Sequence, residues 1–386
     1  MVYLPLIETR FKMSSLRWIL ILLVVVFLLP PGYACDSYDE WADSYGRVEH
    51  VSMFFRHGIR TPLGMYPTNP HGDPAVWPSG YGELTKEGVR QHYVLGSWLG
   101  ERYSDLLPPN RNYNQSVITV LSSQIDRCIM SAAANMAGMF PLSRERNWGG
   151  INWYPVPIHS IPIESDNLIQ LTRPCKKYEA ELLKFTTSEE YRQILDRFTD
   201  VLEFTKLMSG LEMNVDRFMQ LYDTLYIESL YGLLLPRWTR EIYPHAMVEL
   251  VGIGFALPTW TESLKRLKCG FLLKTLLEKM KGKLNGTLLE NISVYSGHDS
   301  TIACLLNSMG IFDFDLPPFA SSVLLELRRT PGCEPVLMIF YKKSPDLRND
   351  PKPLCLPGCP FACPLSTLEA LWAPLLVQDW DKECEV

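Results

Sequence analysis

Val48-Glu49-His50-Val51-Ser52-Met53-Phe54-Phe55-Arg56-His57-Gly58-Ile59-Arg60-Thr61-Pro62 joins a largely apolar run to a polar, glycine-containing segment. The run from Val48 to Phe55 is β-branched and aromatic and stops abruptly at Arg56, which reads as a strand feeding a loop. In open α/β sheets ligands bind beyond the carboxyl ends of strands, so residues 56–62 stand where a site belongs. Two arginines flanking a histidine suit a phosphate monoester. Guanidinium forks bind phosphoryl oxygens bidentately, keep their charge at any working pH and stabilise the equatorial oxygens during transfer. Between Arg56 and Arg60, the imidazole of His57 can attack phosphorus and split hydrolysis into two steps. Gly58 lets the backbone approach the ligand, and the cationic surroundings favour a neutral, nucleophilic His57.

Two further segments fit the same chemistry. Ser296-Gly297-His298-Asp299-Ser300-Thr301 follows another strand-like run. His298 can donate to phosphoryl oxygens, and Asp299 can protonate the departing alkoxide, which matters because phosphate monoesters hydrolyse extremely slowly unaided. Alone, the His-Asp dipeptide reads better as a core pair than as a site. Ile125-Asp126-Arg127 lies between a strand and a helix, where Arg127 can join the helix N-terminus in binding an anion. Taken alone, Arg127 reads as the partner of Asp126 in a structural ion pair.

Outward from these segments, strands and helices alternate. Thr85 is a candidate N-cap for a helix over residues 85–103, with Val89, His92, Gly96 and Leu99 at helical spacing. A short strand over residues 117–121 precedes a helix over residues 126–140. Residues 178–285 change character to long helical patterns over 178–208, 214–231 and 247–280. Strand character returns at residues 292–296, and a hairpin over 323–328 and 336–341 turns through Pro331-Gly332. The expected architecture is a discontinuous α/β domain, residues 35–165 and 286–386, interrupted by a helical domain, residues 166–285.

The chain has 386 residues and a formal net charge of −6, with 47% hydrophobic and 21% charged residues, which excludes wholesale disorder. The acidic balance argues against nucleic-acid partners but not against a small anion held by a few arginines. Lys12 and Arg17 precede the apolar run Trp18 to Leu29, with Pro30, Pro31 and Gly32-Tyr33-Ala34 after it. This is the pattern of a secretory signal peptide over residues 1–34, with an uncleaved signal anchor as the alternative and Met13 as a second candidate start. No stable membrane anchor is expected after cleavage. Asn114, Asn285 and Asn291 begin N-x-S/T triplets; Asn285 reads as the most accessible and Asn291 as the least.

Gly82-Glu83-Leu84-Thr85, Gln91-His92-Tyr93, Asp126-Arg127, Met130-Ser131-Ala132, Pro157-Ile158-His159, Tyr295-Ser296 with His298-Asp299, Pro357-Gly358-Cys359 and Gln378-Asp379-Trp380 extend the pattern along the chain. With residues 56–62 they resemble the histidine acid phosphatases, in the animal prostatic and lysosomal branch. The resemblance implies a phosphoglycerate-mutase-like three-layer α/β domain with an inserted helical domain, and no metal or organic cofactor. It implies His57 as nucleophile, Asp299 as proton donor, and a phosphate pocket of Arg56, Arg60, Arg127 and His298, acting on small phosphomonoesters. It also implies a secreted or lysosomal protein and a homodimer with its interface around Trp153 to His159. Disulfides Cys175–Cys384 and Cys359–Cys363 are implied, while Ile227 and Ser322 stand where a third family pair would be. Cys333 and Cys355 are a candidate replacement, Cys128, Cys269 and Cys304 are expected as buried thiols, and Cys35 as unpaired. Leu121, Gln124 and Ser300 depart from the family pattern. The alternatives are a specialised phosphatase for inositol phosphates or lysophosphatidic acid, and an inactive secreted binding protein. The segment Tyr66 to Asp73, poor in basic residues, weighs against a polyanionic substrate.

Overall fold

The computed structural model describes residues 45–142 and 153–385; the expected leader over residues 1–34 and Cys35 lie outside the described residues. Strand β1 (Arg47–Arg56) buries Val51, Met53 and Phe55 in one apolar cluster and Phe54 in another. Burial on both faces is why the run is continuously apolar rather than alternating. Strands β2 (Ile118–Ser123), β3 (His159–Ile161) and β4 (Ile292–Gly297) belong to the parallel half of the same sheet. Strands β5 (Ser322–Arg329), β6 (Pro335–Lys342), β7 (Lys352–Leu354) and β8 (Cys363–Pro364) form its antiparallel half. The order is β3-β2-β4-β1-β5-β6-β7, with β8 also paired to β6. The register sets Arg56 of β1 beside Gly297 of β4, so His57 and His298 leave the sheet side by side.

Helices α1 (Lys86–Arg102) and α2 (Asp126–Met139) cover one face, contributing Leu95, Leu99, Met136 and Met139 to the cluster of Val51 and Phe55. Thr85 caps α1 by accepting from the Gly88 amide. Val89 departs from expectation, being 39% exposed, while His92, Gly96 and Leu99 are buried. The inward row begins at Gly88 instead, where a Cβ would come within 2.3 Å of the Ile59 carbonyl oxygen. The two helices meet through glycines. A Cβ on Gly96 would lie 1.9 Å from the Asn135 oxygen, and one on Gly138 would lie 2.1 Å from the Tyr93 oxygen. Backbone cannot give way as a side-chain tip can, so Gly96→Ala is expected to cost roughly 3 kcal/mol or more in urea unfolding. Gly64→Ala, where a Cβ meets nothing within 4 Å, should stay within about 0.5 kcal/mol of the parent.

Helices α3 (Lys176–Thr186), α4 (Glu189–Asp196), α5 (Thr199–Ser209), α6 (Val215–Leu230) and α7 (His245–Ala256) follow. They share a cluster that includes Phe185, Phe218, Leu225, Met247 and Leu250. Helices α8 (Glu262–Leu284), α9 (Asp299–Ser308) and α10 (Leu365–Trp372) pack on the second face of the sheet, and α11 (Trp380–Cys384) ends the described chain. Two expected long helices are broken. The pattern over 178–208 divides because Thr186 and Thr187 turn their hydroxyls onto the Leu182 and Leu183 carbonyls while Ser188 caps α4. The pattern over 247–280 divides at the Leu257–Thr259 turn around Pro258, after which Thr261 caps α8. Among the described residues no helix is long and apolar enough to cross a membrane, and no cluster of three metal-binding side chains occurs.

Disulfides join Cys175 to Cys384 and Cys359 to Cys363. The candidate pair Cys333–Cys355 is not formed: Cys333 is a free, exposed thiol, whereas Cys355 is disulfide-bonded. Cys333 lies in the β5–β6 turn. Cys128, Cys269 and Cys304 are free and buried, and Ile227 and Ser322 are buried as well.

Candidate active site

The site forms at the carboxyl ends of β1 and β4. His57, Arg60, Arg127, His298 and Asp299 line one cleft of about 700 Å³. Arg56 is fully buried and is not part of the lining; it reaches the site through an ion pair, with Nη2 2.8 Å from Asp299 Oδ2. The backbone fixes the histidines tightly, the His57 amide donating to the Gly297 carbonyl at 3.0 Å and the Gly58 amide to Ser131 Oγ at 3.1 Å. Gly58 is obligatory, because a Cβ there would sit 2.4 Å from the Gly88 oxygen. His57 Nδ1 is 2.8 Å from the Gly58 carbonyl oxygen. A carbonyl only accepts, so Nδ1 carries the proton and Nε2 presents its lone pair. The His57 and His298 rings meet edge to face with centroids 5.6 Å apart.

Burial and then the Arg56 charge hold His57 well below its usual pKa, which favours the neutral imidazole. Burial, then Arg127, lowers His298 to about 4. His298 caps α9, its amide donating to Thr301 Oγ1, and its Nε2 lies 3.0 Å from Ser123 Oγ. Asp299 opens α9 and accepts from the Ser300 amide at 2.8 Å. Burial pushes its carboxyl up, but Arg56 and Arg60 outweigh that and hold it below the usual range. Arg127 makes no ion pair with Asp126 among the described residues; its Nη1 is 3.5 Å from the Gly82 carbonyl oxygen. The Nε–H groups of Arg56, Arg60 and Arg127 are all buried without an acceptor. Three cations with unused donors, beside an imidazole lone pair, can bind an oxyanion and attack its central atom.

Residues 47–338 match the model of the histidine phosphatase superfamily, branch 2. The chain belongs to this family. It is 32% identical to the lysosomal acid phosphatase of Rattus norvegicus over 345 residues, covering 88% of this chain and 80% of that protein. It is 33% identical to the prostatic acid phosphatase of Homo sapiens over 353 residues, 87% of this chain and 88% of the other. Among solved structures, the Hafnia alvei phytase in complex with tartrate superposes with a TM-score of 0.67 at 19% identity, over 89% of this chain and 99% of that one. The Bifidobacterium longum multiple inositol polyphosphate phosphatase complex with phosphate gives 0.55 at 12%, over 92% and 97%. At those identities the structures establish the fold, a histidine phosphatase α/β domain with added helices.

Sequence reasoning missed several residues of this histidine phosphatase site. Asp223, on α6, takes both Nη atoms of Arg60 at 2.9 and 3.2 Å. Phe319 lies under the Arg56 guanidinium, 3.8 Å from its ring centroid to Arg56 Cζ. Pro317 offers its carbonyl to Arg56 Nη1 at 2.6 Å. None has a local signature; only the pairing across the fold reveals them. Of the departures from the family pattern, Ser300 lines the cleft, whereas Leu121 and Gln124 do not.

Proposed function

We propose that this protein is an acid phosphatase that hydrolyses phosphate monoesters through a phosphohistidine on His57, with Asp299 as proton donor. The observation that carries the reading is the His57 Nε2 lone pair in a cleft with guanidiniums whose Nε–H groups lack acceptors. Nε2 attacks phosphorus as the ester P–O bond breaks, and the Asp299 carboxyl proton goes to the departing oxygen. Water then attacks the phosphohistidine, Asp299 takes its proton, and phosphate leaves with His57 restored. Protonation of Asp299 also frees the Arg56 fork for the phosphoryl oxygens, so acid pH assists binding and proton donation together. Single turnover with a radiolabelled aryl phosphate, quenched in alkaline denaturant, should leave label on the His57 peptide. No label and no turnover of any aryl phosphate would favour the inactive binding protein instead.

The cleft wall supports monophosphates over polyphosphates. Away from the arginines it is built from Met65, Tyr66, Met219, Tyr222 and Phe255, with the carboxylates of Asp216 and Asp223 and no lysine. Repulsion from the Asp216 carboxylate disfavours a ligand carrying several phosphates, whereas Asp223 is held against Arg60. Under this reading residues 35–165 and 286–386 supply the chemistry, and residues 166–285 supply Met219, Tyr222 and Phe255 of the wall that faces the leaving group. The acid phosphatase relatives support a lysosomal or secreted protein, and the sequence pattern supports a signal peptide over residues 1–34 and a glycoprotein. Asn114 and Asn285 are exposed, but the Asn291 amide donates to the Leu106 carbonyl and accepts from Lys283. Glycans are therefore assigned to Asn114 and Asn285. Trp153 is 50% exposed and precedes β3, the edge strand of the sheet among the described residues, and an edge strand suits a homodimer contact. Native mass spectrometry before and after deglycosylation reads both: two glycans per chain and a dimer are expected, and three glycans or a monomer would overturn the respective assignment.

A further inference from the structure

Helix α6 lies far along the chain from the motif, yet one face of it braces both motif arginines. Asp223 binds Arg60 across a separation of 163 residues, with Oδ2 on Nη1 and Oδ1 on Nη2. Its Oδ1 is also 3.9 Å from Arg56 Nη2. This contact engages the end of the Arg60 guanidinium and leaves Nε–H, which is buried without an acceptor. A guanidinium has a second fork, formed by Nε and the other hydrogen of one Nη, and that fork stays open for phosphoryl oxygens. Three residues after Asp223, on the same helix face, Tyr226 stacks on Phe319 at 5.9 Å and 6°. Phe319 in turn supports the Arg56 guanidinium. Thr224, between them, donates its hydroxyl to the Gly64 carbonyl at 3.2 Å and ties the loop after the motif to the same helix.

We propose that Asp223 is a positioning residue: it holds the end of Arg60 so that the Nε edge meets the phosphoryl group, and it acts through Arg60 rather than on the substrate. The proposal rests on the acid phosphatase reading, since it assigns the anion that Arg60 receives. An opposing effect exists, because the Asp223 carboxylate repels a phosphate dianion. Geometry outweighs it here. The Arg60 side chain is 4% exposed, so without Asp223 it has little water to turn to and would swing to another acceptor. A repelling charge held in a two-bond contact is already largely neutralised by its partner.

The test is calorimetric binding of inorganic phosphate, together with steady-state turnover of p-nitrophenyl phosphate. Asp223→Asn should raise the phosphate Kd and the KM about tenfold, with kcat falling less, and Asp223→Glu should recover most of the loss. In an Arg60→Ala background Asp223→Asn should cost nothing further, because its only route to the ligand is gone. Tighter phosphate binding in Asp223→Asn, a Kd within about twofold of the parent, or an equal loss without Arg60 would each overturn the proposal. If Asp223→Asn does not fold, the Asp223→Glu protein carries the test: a Kd raised as far as that of Arg60→Ala would overturn it. Phosphate binding requires no turnover. A parent protein that binds phosphate but hydrolyses no aryl phosphate therefore refutes the acid phosphatase reading while leaving the role of Asp223 measurable.

Discussion

His57→Ala is expected to lower kcat for every phosphomonoester by about 10⁴-fold or more, the scale seen when a covalent nucleophile is removed. No other group in the cleft can take its place. His298 Nε2 is occupied at Ser123 Oγ, and its backbone amide is held by Thr301 Oγ1 in the α9 cap. Cys128, the thiol nearest the site, donates to the Gly297 carbonyl and is pushed up to about 11 by burial, so almost none is thiolate at the working pH. The anion-binding parts do not depend on the imidazole: Arg56 is held by Pro317 and Asp299, Arg60 by Asp223. Inorganic phosphate should consequently bind His57→Ala within a few-fold of its affinity for the parent, while no label is retained after mixing with substrate. Calorimetry and a quench experiment on one preparation separate the two properties. Residual turnover above about one part in a hundred, or label trapped on another residue, would remove His57 from its assigned role.

The first strand and its motif were legible because their meaning is local. An apolar run buried on both faces needs no partner to be recognised, and Arg56-His57-Gly58 with Arg60 is a chemical pattern by itself. The strand character of residues 292–296 was legible for the same reason, since His298-Asp299 follows another apolar run. What failed to show was whatever depends on pairing across the fold. Tyr222-Asp223-Thr224 reads as an ordinary helical turn, and only the approach of α6 to the end of β1 brings Asp223 to Arg60. The inward face of α1 was misjudged by one residue, because the tight position is a glycine, Gly88, which no hydrophobic pattern marks. Helix breaks at Ser188 and Thr261 rest on single hydroxyl caps inside otherwise periodic stretches. Cys333 is left a free thiol because its candidate partner Cys355 is bonded elsewhere, which composition does not encode.

Asp299→Asn should divide substrates by their leaving groups. An amide has no acidic proton to give, so kcat for alkyl phosphates is expected to fall by about 10² to 10⁴-fold. A p-nitrophenolate leaves without protonation, and the first turnover of its ester should fall far less. The second step still needs a base for the attacking water, so phosphoenzyme should accumulate and appear as a burst of p-nitrophenol. The pH dependence follows from the charges around the carboxyl. In the free protein Arg56 and Arg60 overcome burial and hold Asp299 below its ordinary pKa, which by itself would leave it deprotonated and unable to donate. A bound phosphate dianion brings negative charge to those same arginines and raises the carboxyl. Donation requires the protonated form, so activity falls as pH rises through the Asp299 pKa. That alkaline limb should lie at higher pH in kcat, which reports the bound complex, than in kcat/KM, which reports the free protein. It should vanish from the alkyl phosphate profile in Asp299→Asn. An Asn variant that keeps the limb, or that turns over alkyl phosphates within about tenfold of the parent, would place the proton donor elsewhere in the cleft.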